Sequence, residues 1–124
     1  MLVIAAGVFM FYQPPLRLVN DSNGIHVDVQ TLGEYPTDVA RVRLLDRSTG
    51  AVIWEIRSDG AQLSTFDLHI GENPLMPSNI AWGSFKVVVP GRATSFRIER
   101  GHAYTLEVWG TSLPITKNRT TFSV

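Results

Sequence analysis

The chain has 124 residues, enough for one domain and too few for two. A hydrophobic share of 44% with 18% charged residues is that of an ordinary globular chain and excludes a disordered one. Eleven basic residues balance eleven acidic ones, which removes the cationic footprint of a nucleic-acid binder, and nucleic acid is not expected as a partner. The absence of cysteine excludes a disulfide framework, thiolate metal ligands, a thiol nucleophile and a lipid-modified cysteine.

In chain order, Met1 to Tyr12 carries no charge and is too apolar throughout to alternate as a half-buried strand. Residues 1–13 are expected to form a short apolar helix that serves as a membrane anchor or the remnant of a signal. As a helix, twelve residues rise only ~18 Å, short of the ~30 Å hydrocarbon core. A secretory signal would open on Lys or Arg, whereas the first positive charge here is Arg17. The favoured expectation is therefore that the sequence starts inside a longer signal anchor; a cleaved signal and a buried first element are the alternatives. An upstream in-frame start with Lys or Arg would support the anchor, and an in-frame stop just upstream would exclude it. Tyr12 suits the interfacial end of such an anchor. Gln13-Pro14-Pro15 is a stiff extended joint, and the domain is expected to occupy residues 14–124.

Leu16 to Val19 reads as a first edge strand, closed by the turn-rich Asn20 to Gly24. Ile25 to Gln30 alternates with period two, with Ile25, Val27 and Val29 inward and His26, Asp28 and Gln30 outward. After a loop with Gly33 and Pro36, Val39 to Asp46 and Ala51 to Arg57 form a hairpin about the turn Arg47-Ser48-Thr49-Gly50. Its outward residues place Glu55 across from Arg41 or Arg43, which reads as a solvated face rather than an anion site. The phase of the strand puts Trp54 in the core. Ser58-Asp59-Gly60 reads as a further turn, and Leu63 to Ile70 as a strand with Phe66, Leu68 and Ile70 on one side.

Gly71 to Gly83 is the longest stretch without clear periodicity, yet it contains Leu75, Met76, Ile80 and Trp82. Two roles are open for it: its side chains cap the end of a sandwich, or they form a binding loop on a rigid frame. Phe85 to Val89 is a β-branched run stopped by Pro90-Gly91, and Thr94 to Glu99 leads into a turn at Gly101. Tyr104 to Trp109 follows, with Tyr104, Leu106 and Val108 inward and Thr105, Glu107 and Trp109 outward; Gly110 to Pro114 turns, and Thr120 to Val124 closes the sheet. Eight or nine short strands with no helix in the domain predict an all-β antiparallel sandwich.

Ile98, Gly101, Tyr104, Leu106 and Val108 have the spacing of a strand end, a glycine-bearing turn and a new inward-alternating strand. The pattern resembles the tyrosine corner of fibronectin type III and related immunoglobulin-like domains, in which a tyrosine hydroxyl bonds back to backbone near the preceding turn. The resemblance covers Thr94 to Val108; Arg100 stands where that family usually has proline, and there is no Arg-Gly-Asp tripeptide. It implies an immunoglobulin-like sandwich acting as an extracytoplasmic adhesion, recognition or spacer module, without catalysis. No ligand-binding residue carries over from it.

Candidate chemistry is sparse. His26-x-Asp28 and Asp67-x-His69 each sit on the outward face of a strand, and four ligands would converge for Zn²⁺ if those strands were neighbours. Two separate wet faces are the plainer reading. His102 lies in the corner turn, where a structural or solvent role is expected. No Gly-x-Ser-x-Gly elbow or phosphate loop is present, so no enzyme and no cofactor is expected. Asn20-Asp21-Ser22 and Asn118-Arg119-Thr120 match the glycosylation pattern, which has meaning only in a eukaryotic secretory pathway. Trp82, Trp109, Met76 and Ile80 are the candidate binding residues. The expected function is a membrane-tethered module, facing periplasm or extracellular space, that recognises a protein partner. An accessory subunit of an envelope or secretion assembly, pairing through an edge strand, and a carbohydrate-binding domain using Trp82 and Trp109 are the alternatives.

Overall fold

The computed structural model describes residues 17–20, 24–29, 37–110 and 117–124; the apolar segment 1–13 and its expected helix lie outside them. Ten strands are found among the described residues: β1 (Arg17–Asn20), β2 (Gly24–Asp28), β3 (Thr37–Asp46), β4 (Val52–Leu63), β5 (Thr65–His69), β6 (Gly71–Pro74), β7 (Lys86–Val89), β8 (Ser95–Ile98), β9 (Ala103–Gly110) and β10 (Lys117–Ser123). Every pairing is antiparallel. The strands form a three-stranded sheet in the order β1-β2-β5, a five-stranded sheet β10-β9-β3-β4-β7 and a two-stranded sheet β6-β8. The chain is all-β with antiparallel sheets, an arrangement compatible with a β-sandwich.

One hydrophobic core joins the three sheets, because each strand sends alternate residues to the same side. Ile25 and Val27 of β2 and Phe66 and Leu68 of β5 meet Val42 and Leu44 of β3, Trp54 and Ile56 of β4, and Leu106 and Val108 of β9. Trp54 is fully buried, as its phase predicts; it stacks on Phe96 at 5.1 Å between centroids and tilts against Phe66 at 6.0 Å. Its indole N–H donates to the Leu75 carbonyl at 2.8 Å, so the polar atom of the largest core side chain is satisfied. Burial of an aromatic this complete contributes on the order of 3 kcal/mol.

The predicted hairpin is present, with Arg41 opposite Arg57 and Arg43 opposite Glu55. Its second strand runs further than the sequence suggests. Ser58-Asp59-Gly60 does not turn the chain: β4 continues through it to Leu63, and the register against β3 shifts between Val39 and Arg41. The Ser58 hydroxyl donates to the Val39 carbonyl and accepts from the N–H groups of Gly60 and Ala61, while Gly60 takes φ of 118°. Residues that commonly make a turn here make a bulge, which bends the strand without ending it. Directly after Leu63 the chain passes to the other sheet at Ser64, whose carbonyl accepts from the N–H of Val29 at 2.7 Å.

β6 lies within the stretch read as lacking periodicity, and it pairs with β8 from Gly71 opposite Ile98 to Pro74 opposite Ser95. Its inward residue is Asn73, which is 1% exposed. The Asn73 side chain accepts from the His69 N–H at 2.7 Å and donates to the carbonyls of His69 and Gly71 at 2.8 and 3.3 Å. A buried amide thus takes the place of backbone pairing where the chain leaves one sheet for another.

At the corner, the backbone N–H of Glu99 donates to the Tyr104 hydroxyl at 2.8 Å. Gly101 adopts φ of 84°, a left-handed conformation that glycine enters without steric cost. The Tyr104 ring is buried and packs on Phe122 of β10 with centroids 5.8 Å apart. Two further hydrogen bonds, Gly101 N–H to the Val124 carbonyl at 2.7 Å and Val124 N–H to the His102 carbonyl at 3.1 Å, tie the turn to the strand beside it.

Candidate functional site

Two of the four candidate binding residues point inward. Met76 is 4% and Ile80 6% exposed, and both belong to the core. The sequence shows only that the loop is apolar; which of its side chains turn inward is decided by the space left between the sheets. Phe85, at the far end of the segment, is buried as well. Between these anchors Trp82 is 63% exposed, the most exposed large hydrophobic side chain among the described residues. Short bonds hold the loop: Ile80 N–H to the Pro77 carbonyl at 2.9 Å, Ser84 N–H to the Ala81 carbonyl at 3.0 Å, and the Asn79 amide to the Thr65 carbonyl. Trp82 is therefore raised into solvent by a segment fastened on both sides.

Trp109 has a different setting. It projects from the outer face of the five-stranded sheet, half-buried, with the guanidinium carbons of Arg41 and Arg43 each 4.8 Å from the centre of its ring. Such contacts favour the aromatic face over water. The two cations lie over the ring that a sugar would stack on.

The outer face is not the wet surface that alternation suggests. Glu55 and Glu107 are 4% and 3% exposed. Register lines up Arg119, Glu107, Arg43 and Glu55 across β10, β9, β3 and β4. Arg43 donates to Glu107 Oε1 through Nε at 3.0 Å and Nη2 at 2.8 Å, and Arg119 reaches the other Glu107 oxygen at 3.8 Å. Glu55 Oε2 accepts from Arg57 Nε and lies 3.9 Å from Arg41 Nε. The expectation of a solvated pair fails because both carboxylates are buried and engaged by arginines, Glu107 by Arg43 and Arg119 and Glu55 by Arg57 and Arg41, an arrangement that a period-two pattern cannot show.

β2 and β5 are neighbours, as the Zn²⁺ arrangement required, with His26 directly opposite Asp67. His26 Nδ1 lies 2.7 Å from Asp67 Oδ1, and Nε2 lies 3.6 Å from Asp28 Oδ1. The hydrogen bond to Asp67 raises the His26 pKa above its ordinary value, with further help from the charges of Asp67 and Asp28. Both ring nitrogens are thus turned to carboxylates. His69 stands opposite Gly24, two positions along the strand, and no group of three metal-ligating side chains occurs among the described residues. The geometry is that of an exposed ion pair. In the corner, His102 lies 3.5 Å from Asp46 and 3.8 Å from Glu99. The Asp46 pKa is lowered, chiefly by hydrogen bonds from the Ser48 hydroxyl and N–H and further by His102.

The residues that sequence reasoning missed are Asn73 and the cations of the outer face. Extending the hairpin register outward from the Arg47–Gly50 turn would have set Arg41 opposite Ile56; a one-residue shift between Leu44 and Leu45, which the sequence does not mark, brings Arg57 opposite it instead. Nothing in the sequence marks Asn73 as buried. No family model matches the chain, and no curated protein matches it either.

Proposed function

We propose that this chain is an immunoglobulin-like domain of the fibronectin type III kind, tethered through its apolar residues 1–13 and facing the periplasm or the extracellular space, where it recognises a protein partner without catalysing a reaction. The hydrogen bond from Glu99 N–H to the Tyr104 hydroxyl, with Gly101 in the turn, supports the family reading, because that corner is a hallmark of such sandwiches. The observation that carries the functional reading is Trp82. A tryptophan 63% exposed on a loop anchored by buried Met76, Ile80 and Phe85 presents large apolar area at little entropic cost. Isolated apolar side chains on surfaces are common, but this one is also held by its flanks.

A second reading, strand pairing within an envelope or secretion assembly, draws support from β1, an edge strand on which Val19 is 46% exposed. The carbohydrate reading is weakened by the guanidinium groups over Trp109.

A photo-crosslinking residue placed at position 82 of the full chain, in its native cells, tests the proposal against the same residue at position 19 on β1 and at Arg97, an exposed site on β8. The expected outcome is a discrete protein adduct from position 82 in the membrane fraction and none from position 97. Adducts from position 19 alone would transfer the function to the sheet edge, and equal labelling at positions 82 and 97 would refute the loop as a recognition surface.

A further inference from the structure

The outer face of the five-stranded sheet breaks a rule of sheet construction. Register places Arg41 of β3 directly opposite Arg57 of β4, and Arg57 directly opposite Lys86 of β7. Side chains so paired have Cβ atoms ~5 Å apart, and like charges in that relation are destabilising. Three cations in a row across three strands are thus a local cost, and such departures gather at functional sites.

The cost is only partly offset. Arg41 and Arg57 both turn Nε to one oxygen of one buried carboxylate, Glu55 Oε2. Glu107, the other buried carboxylate, is engaged by Arg43. Lys86 is exposed and has no ion pair among the described residues. Arg57 hydrogen-bonds Glu55 through Nε and Arg41 lies near it through the same atom, so their terminal nitrogens have no hydrogen bond among the described residues, and such guanidinium forks match oxyanions. Trp109 holds Arg41 from a further side.

These three cations line a cleft of about 630 Å³ together with Ser84, Trp109 and an exposed Asp59, the only carboxylate in its lining among the described residues. That volume falls in the range of small-molecule sites. The row is two strand spacings long, ~10 Å, which exceeds the reach of one carboxylate or phosphate group. We propose that the cleft binds a small polyanion carrying two or more oxyanion groups, with Arg57 at the centre of the row and Arg41 and Lys86 on either side. Gly83 and Ser84, directly after Trp82, line the cleft while Trp82 itself does not, and the test reads anion binding without depending on the protein-recognition reading.

Titration calorimetry of the full chain at low salt with inorganic pyrophosphate and with citrate tests the site and separates phosphate from carboxylate chemistry. Saturable binding of at least one of them with Kd at or below about 1 mM is expected, weakening as salt is added. Lys86→Gln and Arg57→Gln should each weaken it by about tenfold, while Arg97→Gln, on another sheet, leaves it unchanged. Arg57 also supports buried Glu55, so Lys86→Gln is the decisive variant if Arg57→Gln unfolds the chain. Because Lys86 faces Arg57, Lys86→Gln should also raise the melting temperature of the anion-free protein while lowering its affinity. A face that is merely solvated would show no such opposition. Failure of both polyanions to saturate, or an equal loss in Arg97→Gln, would overturn the proposal.

Discussion

Tyr104→Phe isolates the chemistry of the corner from its packing. The ring is 2% exposed and keeps its contact with Phe122, so the substitution removes one oxygen and leaves the hydrophobic surface in place. The lost group accepts the Glu99 N–H at 2.8 Å. An intramolecular hydrogen bond of this sort contributes about 1 kcal/mol, and a buried donor left unpaired costs about 1–3 kcal/mol. The Glu99 residue is exposed overall, so the lower half of that range applies: about 1–2 kcal/mol. For a domain of this size the melting temperature should fall by roughly 4–8 °C. Urea unfolding followed by fluorescence of buried Trp54 is the assay, with the midpoint lowered and the slope unchanged. Gly101→Ala is the companion variant. Its added methyl meets nothing within 4 Å, so its expected cost, about 1 kcal/mol, is that of the left-handed backbone alone. If Tyr104→Phe is neutral while Gly101→Ala is not, the hydroxyl bond contributes nothing and the corner is held by backbone and packing. That result would remove the main support for the family reading.

Asn73→Ala should cost about 2–4 kcal/mol, because it strips the His69 N–H and two carbonyls of their partner at a site 1% exposed. Amide exchange at His69 should accelerate with it, and a loss below about 0.5 kcal/mol would mean that water replaces the side chain. For His26, Asp67→Asn should bring the raised pKa back toward 6.5, measured by NMR titration of the imidazole. A histidine whose folded pKa is raised stabilises fully below its unfolded value and loses that contribution as pH climbs through the folded one. The stability gap between wild type and Asp67→Asn should therefore be widest just below pH 6.5 and should close toward alkaline pH. A gap that does not change with pH would show that the pair contributes by geometry rather than by charge.

Much of the fold can be read where one side of a strand is apolar and the other polar. β2, the β3–β4 hairpin and β9 follow from period-two alternation, and the corner follows from the spacing of Gly101 and Tyr104. β6 could not be read in the same way, since Gly71-Glu72-Asn73-Pro74 has no branched aliphatic or aromatic side chain and its inward member is an amide satisfied by the backbone of His69, four residues earlier, and of Gly71. Ser58-Asp59-Gly60 misled for a related reason. Turn-forming residues record a local backbone irregularity, and whether it reverses the chain or only bulges depends on the strand alongside, here the carbonyl of Val39. Trp82 was legible as a candidate because the loop was too apolar, but separating it from Met76 and Ile80 required knowing which side chains the core had room for.

The buried charges of the outer face have a role that stability alone does not explain. Burying ions is costly, and a buried pair often adds little over apolar residues of the same volume. Register is another matter. A slip of β9 by one residue against β3 would turn Glu107 toward Val42 and Leu44 in the core and push Leu106 out beneath Arg43. The same slip would separate Arg43 from Glu107, whose two hydrogen bonds depend on their lying directly opposite. Apolar residues on both faces would oppose such a slip far less. The alternation of Arg119, Glu107, Arg43 and Glu55 along one row therefore selects a single alignment of four strands. That alignment sets Arg41 opposite Arg57 in the next row, to which β7 adds Lys86, so the neutral row acts as the frame for the arginine pair at the centre of the cationic row.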